Sequence, residues 1–389
     1  MPVRSETLFS YTFRPFFLVA AAWAILSVVR WMLILNGIAA APIGINALYW
    51  HGHEMIVGFA LAVVAGFVLS AVATWTGRPA VRGLAVAWLV LTWFLGRLAM
   101  FSVVAVPPFA AALLDMLFPV SLCFFLGREV FAARNRRNYK VFWIATALAG
   151  LNLLFQLGLT GIVDGADYIA MYLMIHGLLL LVTLIGGRVV PSFTANWLRG
   201  QGDTTLPRNN LPVDRTATTL TILVGLTVVF FPNRVAIGYL AMSAAVVHAV
   251  RVAQWRGLQT IRNPLLFVMH VAYWWLPIGY LMMSAASLGW AFTPTAALHA
   301  LTMGGIGGMI LAMITRVPLG HTGRPLHASR LTVAAYILLM LAVVVRVSSP
   351  WNAAQYLSMV NAAAAGWCLA FAIFLWVYWP VLTQSPVKQ

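Results

Sequence analysis

Residues 50–79 read Trp50-His51-Gly52-His53-Glu54-Met55-Ile56-Val57-Gly58-Phe59-Ala60-Leu61-Ala62-Val63-Val64-Ala65-Gly66-Phe67-Val68-Leu69-Ser70-Ala71-Val72-Ala73-Thr74-Trp75-Thr76-Gly77-Arg78-Pro79. No residue between Glu54 and Arg78 carries a formal charge. About 20 predominantly apolar residues suffice for a helix to cross a bilayer. This run therefore reads as a membrane span, entered through a His-x-His pair and closed by a Thr-Gly-Arg-Pro turn. The rest of the 389-residue chain agrees with it. Hydrophobic residues make up 62% and charged residues only 8%, and mean hydropathy is +0.91. A soluble protein carries about 25% charged residues. The composition excludes a soluble globular protein, a disordered chain and a coiled coil. The fold class expected is an all-α polytopic membrane protein.

Apolar runs separated by Pro, Gly and Arg predict about twelve transmembrane helices in a single integral membrane domain spanning 1–389. The expected spans are 16–36, 50–75, 84–105, 108–132, 140–161, 167–188, 215–231, 233–253, 264–288, 294–316, 330–348 and 352–380. The connection 189–214, rich in Gly, Pro, Asn and Thr, reads as a polar loop. No cleavable signal peptide is expected ahead of the first span. With the N-terminus cytoplasmic, 20 of the 24 Lys and Arg residues fall on the inner side. That asymmetry sets orientation, so both termini are expected in the cytoplasm. It also accounts for the net charge of +16 without nucleic acid as a partner. Cys123 and Cys368 lie inside apolar runs and form no thiolate motif.

Ionisable side chains at membrane depth are functional candidates by default. The expected topology puts His51, His53, Glu54, Arg30, Arg97, Asp115 and His299 in the outer half and His176 near the midplane. His248, His270 and His321 fall towards the inner side, and His327 reads as a solvated loop residue. Neutral imidazole enters an apolar site uncharged and is the commonest metal ligand. This set of histidines therefore points to haem iron, copper or both, with the inner three as a second candidate group. His51 and His53 are about 200° apart around a regular helix. They should face different neighbours unless the helix start is unwound. Arg30 and Arg97 have two readings: partners for haem propionates, or ion pairs with Glu54 and Asp115.

An internal repeat strengthens the metal reading. Shifting the chain by 246 residues superposes His53, Gly58 and Thr76-Gly77-Arg78-Pro79 on His299, Gly304 and Thr322-Gly323-Arg324-Pro325, without a gap. The shared turn explains the tetrapeptide but not the retained histidine. His53 and His299 are the expected axial ligands of a haem, and His51 and His176 candidates for copper or for an alternative haem ligand. The run Gly304-Gly305-Ile306-Gly307-Gly308 reads as a place of close helix packing or of a flat cofactor. No Walker motif, acyl-transfer triad or haem-attaching cysteine pair is present.

Phe13-Arg14-Pro15-Phe16-Phe17, Trp50-His51-Gly52-His53-Glu54-Met55, Trp75-Thr76-Gly77-Arg78-Pro79, His299-Ala300-Leu301-Thr302 and Gly320-His321-Thr322-Gly323-Arg324-Pro325 together resemble the NnrS family over essentially the whole chain. The resemblance implies a bacterial inner-membrane protein that holds b-type haem and copper. It also implies a part in nitric oxide metabolism and defence against nitrosative stress, with nitric oxide or an electron donor as partner. Histidines on spans 2, 6 and 10 recur every four helices. In this the chain is similar to the catalytic subunit of haem-copper oxidases, with three groups of four helices. The doubled histidine lies on span 2 rather than span 10 and span 7 has none, so no complete binuclear reductase site is recognised. A proton- or ion-coupled transporter of a metal, haem or small solute is the alternative.

Overall fold

In a computed structural model, residues 5–42, 44–101, 106–134, 136–208, 210–290 and 292–387 are described. Among them, twelve helices are long and apolar enough to cross a membrane. They are α1 Phe13–Leu35, α2 Ala47–Thr76, α3 Leu84–Phe101, α4 Pro108–Ala132, α5 Tyr139–Leu159, α6 Ala166–Gly200, α7 Leu211–Phe230, α8 Arg234–Ala253, α9 Pro264–Ser287, α10 Pro294–His321, α11 Arg330–Trp351 and α12 Ala353–Thr383. No strand occurs among the described residues.

Local chemistry sets most boundaries. The side chains of Asn46, Asn210, Asn233, Thr293 and Ser329 accept hydrogen bonds from the first turns of α2, α7, α8, α10 and α11. Such caps satisfy backbone donors that a helix start leaves open. Pro108, Pro264 and Pro294 occupy first-turn positions, where a missing N–H costs nothing. Gly77 ends α2 at φ 69°, a left-handed conformation that glycine adopts without strain. The helix pair flanking Phe231-Pro232-Asn233 is real despite its short turn, because Asn233 holds the Val235 and Ala236 amides.

The expectation for 189–214 is corrected. α6 continues through Pro191 to Gly200, and the connecting segment before α7 is correspondingly short. Val190, Pro191, Thr194 and Leu198 keep one buried face at helical spacing there, although the stretch is too polar to register as a span.

Side-chain polarity is distributed as lipid requires. On α3, Trp88, Leu91, Phe94 and Leu98 form an exposed apolar stripe, while Thr92 and Arg97 are buried on other faces. A water-soluble helix shows the reverse.

The chain forms two compact units. The first comprises residues 1–177, 317–324 and 374–389, and its interior is built on Phe13, Phe16, Phe17, Trp50, Phe59, Phe118 and Phe155. The second comprises residues 178–316 and 325–373. It centres on Trp255, Tyr273 and Tyr280, with a cluster of Met282, Ala296, Ala297, Ala300, Val343 and Val347.

Candidate functional site

Among the described residues, three helices widen from α- to π-helical turns. The widened segments are Glu54–Ala60 in α2, Val182–Gly186 in α6 and Ala300–Gly307 in α10. Two of them begin immediately after His53 and His299, in the register of the 246-residue repeat. The third follows His176, which lies midway in sequence between the other two. Such turns are rare and recur at functional sites. The repeat also shares a packing device. An ideal Cβ on Gly58 would lie 2.4 Å from the Trp23 indole nitrogen, and one on Gly304 would lie 2.5 Å from the Trp275 ring. Gly305 meets Leu276 and Gly308 meets Ala272 in the same close fashion. The glycine run of α10 is thus filled by α9 and, at Gly307, by Trp367 of α12, as close helix packing would have it.

In the first unit, His53 is the hub of a fully buried polar network. Its Nδ1 lies 3.0 Å from Glu54 Oε1. Its Nε2 lies 3.2 Å from Asp115 Oδ2 and 3.0 Å from Asn152 Oδ1. Asn152 and Gln156 donate to Asp115 Oδ2 at 2.7 and 2.8 Å, and the Trp23 indole donates to Glu54 Oε2 at 2.7 Å. Arg97 donates to Glu54 at 2.6 Å and also to Asp115. Every atom facing the His53 ring is an acceptor, so both ring nitrogens donate. The ring then carries charge, and two positive groups balance two carboxylates. Phe155 stacks on the ring at 4.7 Å.

This arrangement settles where each outer residue goes. Arg97 takes the ion-pairing alternative, with both terminal nitrogens committed to protein carboxylates rather than turned to a propionate. Arg30 does not join it. It donates to the Phe101 carbonyl and lies over the Phe101 and Trp50 rings at 4.0 and 4.9 Å. The helix is regular from Ala47 to His53, so His51 and His53 diverge as expected. His51 stacks on Trp31 at 4.8 Å. With both nitrogens engaged, His53 directs no lone pair towards a metal. His176 is different: it is buried, and its Nδ1 has no hydrogen-bond partner.

The second unit holds a second polar network. Arg251 donates to Asp214 at 2.6 Å, to the Thr183 carbonyl at 2.8 Å and to the Tyr273 hydroxyl at 2.7 Å. Tyr273 in turn lies 3.0 Å from His248 Nδ1, and His248 Nε2 lies 3.1 Å from Thr221 Oγ1. Thr183 belongs to the widened turn of α6. Gly187, just after that turn, lets the guanidinium approach so closely that a Cβ would lie 2.1 Å from it. His270 pairs instead with Thr194 at 2.9 Å. His299 donates from Nδ1 to the Thr295 carbonyl at 2.9 Å. In a neutral ring that bond keeps the proton on Nδ1, the tautomer in which Nε2 is the metal-binding nitrogen.

His321 ends α10 beside the rings of Tyr11 and Phe13, and His327 is exposed. Among the described residues, no group of three or more His, Cys, Asp or Glu side chains is arranged to hold a metal ion. His248 and His270 each have neutral protein partners of their own, Tyr273 and Thr221 for the first and Thr194 for the second. Sequence reasoning passed over Asn152 and Gln156, one helical turn apart on α5, and the Asp214–Arg251–Tyr273 chain. The paired amides were the available signal for the first.

No curated protein matches the chain. The family model described as NnrS protein matches residues 7–385, nearly the whole length. With twelve membrane-spanning helices and this match, the chain belongs to the NnrS family of multi-pass membrane proteins.

Proposed function

We propose that the protein binds haem and copper in a bacterial inner membrane and acts in nitric oxide metabolism or in protection against nitrosative stress. Family membership supports the physiological setting. The observation that carries the metal reading is the partnerless ring nitrogen of the buried His176. A buried polar atom of that kind calls for a ligand. His299, with its Nδ1 tied to a backbone carbonyl, has the donor chemistry of a second ligand. His51 is a third candidate. His53 fits a structural hub better than an axial ligand, since carboxylates and an amide occupy both of its nitrogens. A bound haem iron or copper would supply a one-electron centre able to take up nitric oxide. The protein's part is to orient these imidazoles, and in the case of His176 to hold it away from water.

The experiment is haem and copper quantification on the purified full-length protein and on its H51A, H53A, H176A and H299A variants. Haem or copper should fall in H176A and H299A while the helical content stays intact. A well-folded wild type without either cofactor, or variants that all retain both, would refute the proposal.

A second reading, a proton- or ion-coupled transporter, is favoured by the buried His53–Glu54–Arg97–Asp115 network. It predicts metal-free protein and solute uptake in proteoliposomes that depends on a proton or ion gradient. The Lys and Arg asymmetry supports cytoplasmic termini, which terminal reporter fusions test directly.

A further inference from the structure

The polar chain of the second unit runs from Asp214 through Arg251, Tyr273 and His248 to Thr221, and its hydrogens can be placed one after another. Thr221 donates its hydroxyl hydrogen to the Ala217 carbonyl at 2.9 Å. Its oxygen, 3.1 Å from His248 Nε2, is therefore the acceptor there, and Nε2 carries a hydrogen. A second positive charge beside the buried Arg251 guanidinium would be costly. The resting ring is therefore neutral, and its Nδ1 holds a lone pair. The Tyr273 hydroxyl, 3.0 Å away, donates to that lone pair. Arg251 donates to the same phenol oxygen at 2.7 Å, and is itself balanced by Asp214 at 2.6 Å.

This order of donors and acceptors limits what the chain can do. A proton wire needs ends that can take up and release a proton. Here one end is a guanidinium, which keeps its protons, and the other is a backbone carbonyl, which cannot take one. One step remains open, from the Tyr273 oxygen to His248 Nδ1 and back. Tyr273, His248 and Thr221 are all fully buried, so that step is shielded from bulk water. A phenol gives up an electron readily only when its proton leaves at the same time, and a phenol held against a lone pair meets that need. The buried Trp255 ring, 4.5 Å from the Tyr273 ring, offers the electron a way out.

We propose that Tyr273 and His248 form a redox-active pair. A one-electron oxidant takes an electron from the Tyr273 ring, the O–H bond breaks, and the proton forms an N–H bond at His248 Nδ1. The products are a neutral tyrosyl radical and an imidazolium, and the oxidant leaves one electron richer. That oxidant is of the class of small oxidising radicals that dissolve in lipid. A reductant that returns the electron also returns the proton to oxygen. Asp214 offsets the Arg251 charge that the new imidazolium faces. The pair uses none of His51, His176 and His299, so it is independent of the haem and copper reading.

The test uses the full-length protein in detergent micelles. Tris(bipyridine)ruthenium, excited by a flash and quenched by a cobalt(III) ammine complex, is the oxidant. The sample is then freeze-trapped for electron paramagnetic resonance. Wild type should show a tyrosyl signal that outlives those of exposed tyrosines, because reductant in solution does not reach it. Y239F, at an exposed tyrosine, should keep that signal, and Y273F and H248F should lose it. Y273F also takes a hydrogen bond from the fold, so wild type supplies the deciding measurement. Histidine labelled with heavy nitrogen should change the nuclear couplings of the radical, and heavy water should slow its formation. A wild type without a long-lived signal, a signal unchanged in Y273F or H248F, or couplings indifferent to the histidine label would overturn the proposal.

Discussion

Replacing Arg97 by glutamine should be among the most damaging single changes in the protein. Its guanidinium is the counter-charge to both Glu54 and Asp115, at less than 3 Å from Glu54 and in contact with Asp115, with all three side chains out of water. Removing it leaves two carboxylates facing one imidazolium. Breaking a buried pair by deleting one partner costs about 3–5 kcal/mol, whereas an exposed pair is worth at most about 1 kcal/mol. The unfolding equilibrium of Arg97→Gln should therefore shift by roughly two to nearly four powers of ten. The assay is reversible SDS-induced unfolding in mixed micelles, followed by tryptophan fluorescence. The reasoning makes a second, sharper demand. Asp115→Asn added to Arg97→Gln restores charge balance, so the double variant should be less damaged than the two singles combined, by about 1–3 kcal/mol. A loss below about 1 kcal/mol for Arg97→Gln, or strict additivity in the double variant, would refute the idea of a charge-balanced hub.

Gly187→Ala should cost about 1–3 kcal/mol by forcing the Arg251 guanidinium off Asp214, the Thr183 carbonyl and Tyr273. Gly150→Ala, where nothing lies within 4 Å of the new Cβ, should be neutral or stabilising in the same assay. Tyr273→Phe takes the shared hydroxyl from Arg251 and from His248, with an expected loss of about 1–3 kcal/mol. The hydrogen bond from Arg256 holds the Asp203 carboxyl below its ordinary pKa. That link is therefore present above the usual aspartate range and is lost as pH falls through the lowered value. Hydrogen-exchange protection in the segment between α6 and α7, taken relative to the intrinsic rate at each pH, should fall on acidification below about pH 4, and unchanged protection would show that the link does not order the segment.

The spans could be read because lipid demands long uncharged runs, and because the Lys and Arg residues alternate between sides. The last turns of α6 could not. Arg188, Pro191 and Asn196 lower the local hydropathy although Val190, Thr194 and Leu198 keep helical spacing. At the outer network, charge counting left Arg30 and Arg97 between propionate partnership and ion pairs with Glu54 and Asp115. That choice is made in three dimensions, where Arg30 finds aromatic faces and a carbonyl instead. For His53, sequence gives a residue's type and depth but not the Glu54, Asp115 and Asn152 atoms that meet its nitrogens. Asn152 and Gln156 were overlooked because neutral amides carry no charge to count, although a low-dielectric interior makes them strong donors.

Each widened turn has an implication for how the helices can change. A π-turn closes over five residues where an α-turn closes over four, so it behaves as one inserted amino acid absorbed without a break. Deleting a residue from 300–307 would leave an uninterrupted helix. It would also swing every later side chain of α10 by about 100° and draw it in by about 1.5 Å. The glycines that seat Ala272 and Trp367 would then face elsewhere. α2 carries its widened turn at the matching place of the repeat. Length in these two segments is thus constrained more tightly than composition: many apolar substitutions should be tolerated there, and single-residue deletions should not.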